Sequence, residues 1–139
     1  MKSKLLMAGW FLFAGAVSTH AQSGGVYVRV PFAFEIASKT LPAGEYVVSS
    51  EHDQVWVRAY HGNTVAVVQS NRIEHQDGNP GKVLFNCYEK HCFLSQLRLP
   101  DSAGSREILI SKSEKLAALR TEAQQFALLA KPVRLDSAN

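Results

Sequence analysis

"VYVRVPFAFE", residues 26–35, is the stretch on which the fold turns. Val26, Val28, Val30, Phe32 and Phe34 fall on one face, while Tyr27, Arg29 and Glu35 point to the other. Period two, carried by β-branched and aromatic side chains, is the pattern of a half-buried strand. Pro31 has no amide hydrogen to give a ladder, so it belongs at an edge, at a bulge or at a break between two short strands. Working outward, Leu41-Pro42-Ala43-Gly44 has type I turn chemistry, with Pro second and Gly fourth. "EYVVSS" then reads as the next strand.

The same alternation recurs downstream. "QVWVRAY" (54–60) and "TVAVVQS" (64–70) flank His61-Gly62-Asn63 as a hairpin. "EHQDGNPGK" (74–82) is a loop by its Asp-Gly, Asn-Pro and Pro-Gly pairs. "KVLFNCY" and "CFLSQLRL" form a further strand pair, a second loop spans 100–105, and "REILI" is either a last strand or an extended lead-in. Short strands punctuated this often predict a mainly β chain, a small antiparallel β-sandwich or barrel.

The period changes after residue 110. Leu116, Leu119, Ala123, Phe126, Ala127 and Ala130 take helical spacing, and Ser111 and Glu114 have the spacing of a capping box. One C-terminal amphipathic helix over about 112–130 is expected, ended by Pro132 and packed by its apolar stripe on the sheet.

At the other end, Lys2 and Lys4 precede a charge-free apolar run from Leu5 to Val17, and Thr19-His20-Ala21 supplies small residues for cleavage. This is the layout of a secretory signal peptide, residues 1–21, leaving 22–139 as one exported β-rich domain, periplasmic or extracellular. The run is too short for a transmembrane anchor, and no transmembrane segment is expected in the mature chain. The full chain has 15 basic and 12 acidic side chains. Cleavage removes two lysines and no acid, so the mature charge of near +1 lacks the basic footprint that nucleic acid requires. No P-loop, dinucleotide fingerprint or zinc-protease motif is present, and no cofactor is expected.

Cys87 and Cys92 are the only cysteines. With a turn at Glu89-Lys90 they stand directly opposite one another, at a separation compatible with a disulfide. Against a tight turn, Glu-Lys lacks the Gly or Asn it prefers. A metal site would use Cys87, His91 and Cys92, but structural zinc wants four ligands and no spacing nominates the fourth. A redox pair would read C-x-x-C at the start of a helix. Export into an oxidising compartment favours the staple.

Two further groups carry polar or aromatic side chains suited to a site. "SSEHDQ" (49–54) gathers Ser, Glu, His and Asp, yet neighbours in sequence rarely converge as a catalytic group needs, and a polar turn is the plainer reading. The aromatics Trp56, Tyr60, Tyr46 and Tyr27 form the second group, and Trp56 and Tyr60 share a strand face opposite Val55 and Val57. If open, it could bind sugar rings or a partner, but burial beneath the C-terminal helix is expected.

"VRVPFAFEIASKTLPAGEYVV" and "CFLSQL", followed by a segment rich in Glu, Lys, Ala and Leu, resemble a group of short exported acidobacterial proteins without known activity. The resemblance covers most of the mature chain and brings no active site. In similar sequences an aromatic precedes "FLS" where Cys92 stands here, which implies that the cysteine pair is a local addition. The function expected is thus a non-enzymatic exported domain that binds an envelope component, a glycan or a protein. The alternative is a small secreted hydrolase or metal-dependent enzyme using His52 and Asp53, or Cys87, His91 and Cys92.

Overall fold

A computed structural model describes residues 25–74, 81–99 and 105–133. The expected signal peptide, residues 1–21, and most of the expected 74–82 and 100–105 loops lie outside them. Among the described residues, eleven strands and one short helix follow in order: β1 (Gly25–Val30), β2 (Phe34–Ile36), β3 (Lys39–Leu41), β4 (Gly44–Glu51), β5 (Gln54–Ala59), β6 (Thr64–Arg72), β7 (Lys82–Tyr88), β8 (His91–Arg98), β9 (Arg106–Ile108), α1 (Lys112–Ala118), β10 (Gln124–Leu129) and β11 (Lys131–Val133).

The opening stretch forms as its pattern demands. Val26, Val28 and Val30 of β1 are buried, Pro31 breaks the strand, and Phe34 and Ile36 of β2 return to the core. The turn at Leu41–Gly44 is clamped from inside, where the Tyr46 hydroxyl donates to the Pro42 carbonyl and its ring meets Phe34 edge-on at 5.2 Å. "REILI" resolves into a strand, β9, between β8 and β6.

Hydrogen bonding orders the sheet β10-β7-β8-β9-β6-β5-β4-β1-β11, with the β2–β3 hairpin attached to β8. All the ladders are antiparallel except the single parallel register of Glu35 with Phe93, so the sheet is mixed. It curls around one core in which side chains from β1, β2, β4, β5, β6, β7, β8 and β9 meet. Burying these apolar faces together supplies the main drive to fold.

Two expectations need correction. The sheet is not a closed barrel. Its two ends are borne by one segment: β10 pairs with β7, then after Ala130 β11 pairs with β1. No ladder joins β10 to a second strand among the described residues, so the sheet is open along β10. The helix, expected to reach about 130, stops at Ala118. Its capping start is real, since the Ser111 side chain accepts from the Glu114 amide at 3.2 Å. Beyond it, Gln124, Phe126 and Leu128 also fit period two, and they lie opposite the buried Cys87, Phe85 and Val83 of β7. Completing that ladder outweighs about three more turns of helix, whose stability in water is marginal without packing. Nor does the apolar stripe pack as expected: Leu116 is 62% and Leu119 83% exposed.

Candidate ligand-binding face

The outer face of β1, β4 and β5 is built by register. Tyr27 pairs with Val47, which pairs with Arg58; Ser49 pairs with Trp56; Arg29 pairs with Glu45. Alternation carries Trp56 and Arg58 to the side opposite the buried Val55 and Val57. Tyr60 joins them because its amide donates to the Glu45 carbonyl at 2.9 Å, holding the loop after β5 against β4. The outcome is one patch with Trp56 at one end, Arg58 in the middle and Tyr60 at the other.

Its electrostatics are local. Tyr27 donates its hydroxyl to Glu45 Oε1 at 2.6 Å, and Arg29 Nη2 donates to the same oxygen at 2.7 Å. The Tyr27 hydrogen bond, reinforced by Arg29, holds the Glu45 carboxyl below its ordinary range. Reciprocally, the bond to the Glu45 carboxylate raises the Tyr27 phenol. The Tyr27 and Tyr60 rings meet edge-to-face at 4.9 Å, and His61 lies against Tyr60 at 3.9 Å. The Arg58 guanidinium stands 5.9 Å from the centre of the Trp56 ring. Among the described residues, Trp56 Nε1 and Arg58 Nε are the buried side-chain polar atoms that lack a hydrogen-bond partner. Two adjacent donors without acceptors call for an explanation, because such groups are almost always satisfied in folded proteins.

The expected burial of this face under the helix does not occur. α1 is anchored elsewhere, by its own Glu114, which is only 5% exposed. That carboxylate accepts from the Tyr88 hydroxyl and from Asn86 Nδ2, both at 3.2 Å. Burial, with the Glu114 charge second, pushes the Tyr88 phenol up. A groove of about 350 Å³ runs between α1 and the β7–β8 hairpin, lined among others by Glu35, Tyr88, His91, Phe93, Leu116 and Arg120. The Tyr88 hydroxyl on its wall is already bonded to Glu114 of the helix, which makes the groove the joint that seats α1.

The other sequence candidates separate. Cys87 and Cys92 are bonded to each other, with Cα atoms 4.0 Å apart in direct register and Tyr88 opposite His91. Their sulfurs are therefore spent, and the Cys87-His91-Cys92 metal alternative is lost; no group of three metal-binding side chains occurs among the described residues. In "SSEHDQ", Ser49 is buried, while His52 sits exposed at the β4–β5 turn. Asp53 is taken by Arg106, whose Nη2 donates to it at 2.9 Å and whose Nε donates to Ser70 Oγ at 3.0 Å. This network ties the β4–β5 turn to β6 and β9. Among the described residues, no side-chain hydrogen bond joins His52 or Asp53 to Ser49 or Ser50.

Sequence reasoning found Trp56, Tyr60 and Tyr27 but passed over Arg58, Arg29 and Glu45. Arg58 could have been found as the residue between Trp56 and Tyr60 at the same alternation. The others needed the order of β1, β4 and β5, which is a property of the fold. Comparison with family models, curated proteins and solved structures returns no match.

Proposed function

We propose that this protein is an exported, non-enzymatic binding module whose outer face, from Trp56 through Arg58 to Tyr60, holds an acidic glycan of the cell envelope. The observation that carries the reading is the pair of unpartnered donors, Trp56 Nε1 and Arg58 Nε, set within an aromatic face. Aromatic planes suit the apolar faces of sugar rings, and a guanidinium suits carboxylate or phosphate substituents. An acidic group that draws Arg58 off the indole gives both donors an acceptor.

Export is supported by the signal-peptide layout and by the Cys87–Cys92 disulfide, a bond that persists in oxidising compartments. No helix among the described residues is long and apolar enough to cross a membrane. The resemblance to short exported acidobacterial proteins points the same way. On this reading the curled sheet acts as a small sandwich that displays one flat outer face.

The test is titration calorimetry with an acidic and a neutral polysaccharide of matched backbone. The acidic polymer binds, Trp56→Ala and Arg58→Gln each weaken binding by roughly tenfold or more, and the neutral polymer binds less. Equal binding by both variants and the parent protein removes the face from consideration.

A further inference from the structure

α1 is amphipathic in the reverse of the usual sense. Its buried residue is a carboxylate, Glu114, held by Asn86 and Tyr88. On the opposite side Lys112, Lys115, Leu116 and Leu119 follow the i, i+3, i+4, i+7 spacing of a single helix face, and all four are exposed. Leu119, the C-cap, keeps a right-handed helical backbone, so the face runs through it. A surface helix ordinarily turns its leucines inward, where leaving water stabilises the fold. Here they are turned out.

The residues leading into the helix continue the pattern. Leu109 and Ile110 follow β9 and are 49% and 57% exposed. Among the described residues, eight large apolar side chains are exposed, and four of them fall within residues 109–119. Single apolar residues scattered on a surface need no explanation, whereas a concentration of them marks an interaction site. The charges around this one have a single sign. From Ile108 to Thr121 the cations are Lys112, Lys115 and Arg120, all exposed, and the one acid is the inward Glu114. Among the described residues none of the three cations is engaged in an ion pair.

We propose that this face, Leu109 and Ile110 with Leu116 and Leu119, docks the protein onto an anionic phospholipid surface. The apolar side chains enter the boundary between headgroups and acyl chains, while Lys112, Lys115 and Arg120 reach the phosphates with their stems laid along the apolar part. Glu114 anchors the helix from behind, so the leucines stand out from the fold. Leucines set among cations match an apolar layer edged with phosphates. An acidic polymer in water would offer the cations a partner and the leucines none. A second copy of this chain is also a poor occupant, because an isologous contact would set Lys112 and Lys115 against the same lysines, with no outward acid on α1 to meet them. The contact is independent of the glycan reading, since α1 is seated on the β7–β8 hairpin and the Trp56 face is carried by β5.

The test is cosedimentation of the exported protein with vesicles of phosphatidylcholine, alone or mixed with phosphatidylglycerol. The parent protein is expected to bind the anionic vesicles, and the neutral ones at least about tenfold more weakly. Leu116→Ser with Leu119→Ser lowers the partition coefficient by about tenfold or more, and Lys112→Gln with Lys115→Gln does the same. All four positions are exposed, so both double variants should melt as the parent protein does. In Leu119→Trp the added indole should move the emission to shorter wavelength when anionic vesicles are present. A parent protein that binds neither vesicle overturns the proposal, as does vesicle binding that survives the leucine double variant unchanged. If no vesicle is bound while the lysine double variant weakens binding of an acidic polysaccharide, the face takes a polymer and the lipid proposal falls. Should the leucine double variant fail to fold, the parent partition and the Leu119→Trp emission still decide.

Discussion

Ala37 and Ser38 form the two-residue turn between β2 and β3, and both have left-handed backbones, with φ of 49° and 63°. Positive φ at both central residues is the type I′ requirement, which Asn-Gly meets far more readily than Ala-Ser. Both side chains are exposed, so exchanging them leaves the core untouched. Ala37→Asn with Ser38→Gly should stabilise the protein by roughly 1–2 kcal/mol, read as a higher urea midpoint at unchanged slope. A second residue-scale prediction concerns acid. Glu45 has a folded pKa below its ordinary 4.5, held there by Tyr27 and then Arg29. A lowered carboxylate contributes stability that is fully present above the unfolded value and is lost as pH falls through the folded one. Glu45→Gln should therefore be less stable than the parent protein at pH 7, with the gap closing progressively below about pH 4. Denaturant melts across that range measure it, and a gap that persists in full at the acid end contradicts the assignment.

At the scale of the element, the β7–β8 hairpin and the C-terminal segment show what a sequence can and cannot carry. The hairpin register was legible because period two and a two-residue spacing leave few alternatives, and Tyr88 opposite His91 with Cys87 opposite Cys92 is what forms. The turn residues argued against it, and the structure accepts the strain: Glu89 takes φ 56°. The disulfide closes a very short loop in a hairpin whose β7 strand is also paired with β10 on its other side. Cys87→Ala with Cys92→Ala should thus cost at most about 2 kcal/mol and leave the fold intact, as melts with and without reductant would show. Total loss of the cooperative transition would mean that the bond, and not the ladder, sets the register. In the C-terminal segment, Phe126, Ala127 and Ala130 fit helical spacing, while Phe126, Leu128 and Ala130 fit period two. Local pattern cannot choose between them. The choice is made by β7, whose second edge needs a partner, and that demand is visible only once the strands are ordered. The binding face divides in the same way: Trp56 and Tyr60 stood out on one strand, whereas Glu45 and Tyr27 came to them only through cross-strand register.

For the whole molecule, the decisive element is the run from Gln124 to Val133. It pairs with β7 through β10 and with β1 through β11, strands that sit near opposite ends of the hydrogen-bonded order. It also buries Ala130 and sets Leu128 against the core. Ending the chain after Ala123 would expose a long edge on β7 and another on β1 at once, and would open the core that both strands wall. A domain of this size is stable by only about 5–15 kcal/mol, and the loss of two ladders with their buried side chains reaches that scale. The truncated protein is therefore expected to have no cooperative thermal transition and to aggregate through its new edges. Leu128→Asp gives a milder version, placing a charge against the core while the backbone ladder remains, and should lower the melting temperature without abolishing the transition. Scanning calorimetry on the two variants distinguishes a closing strap from a dispensable tail. If the truncated chain melts as cooperatively as the parent protein, the segment merely rests on a sheet that folds without it, and the β10 edge cannot be a structural margin of the domain.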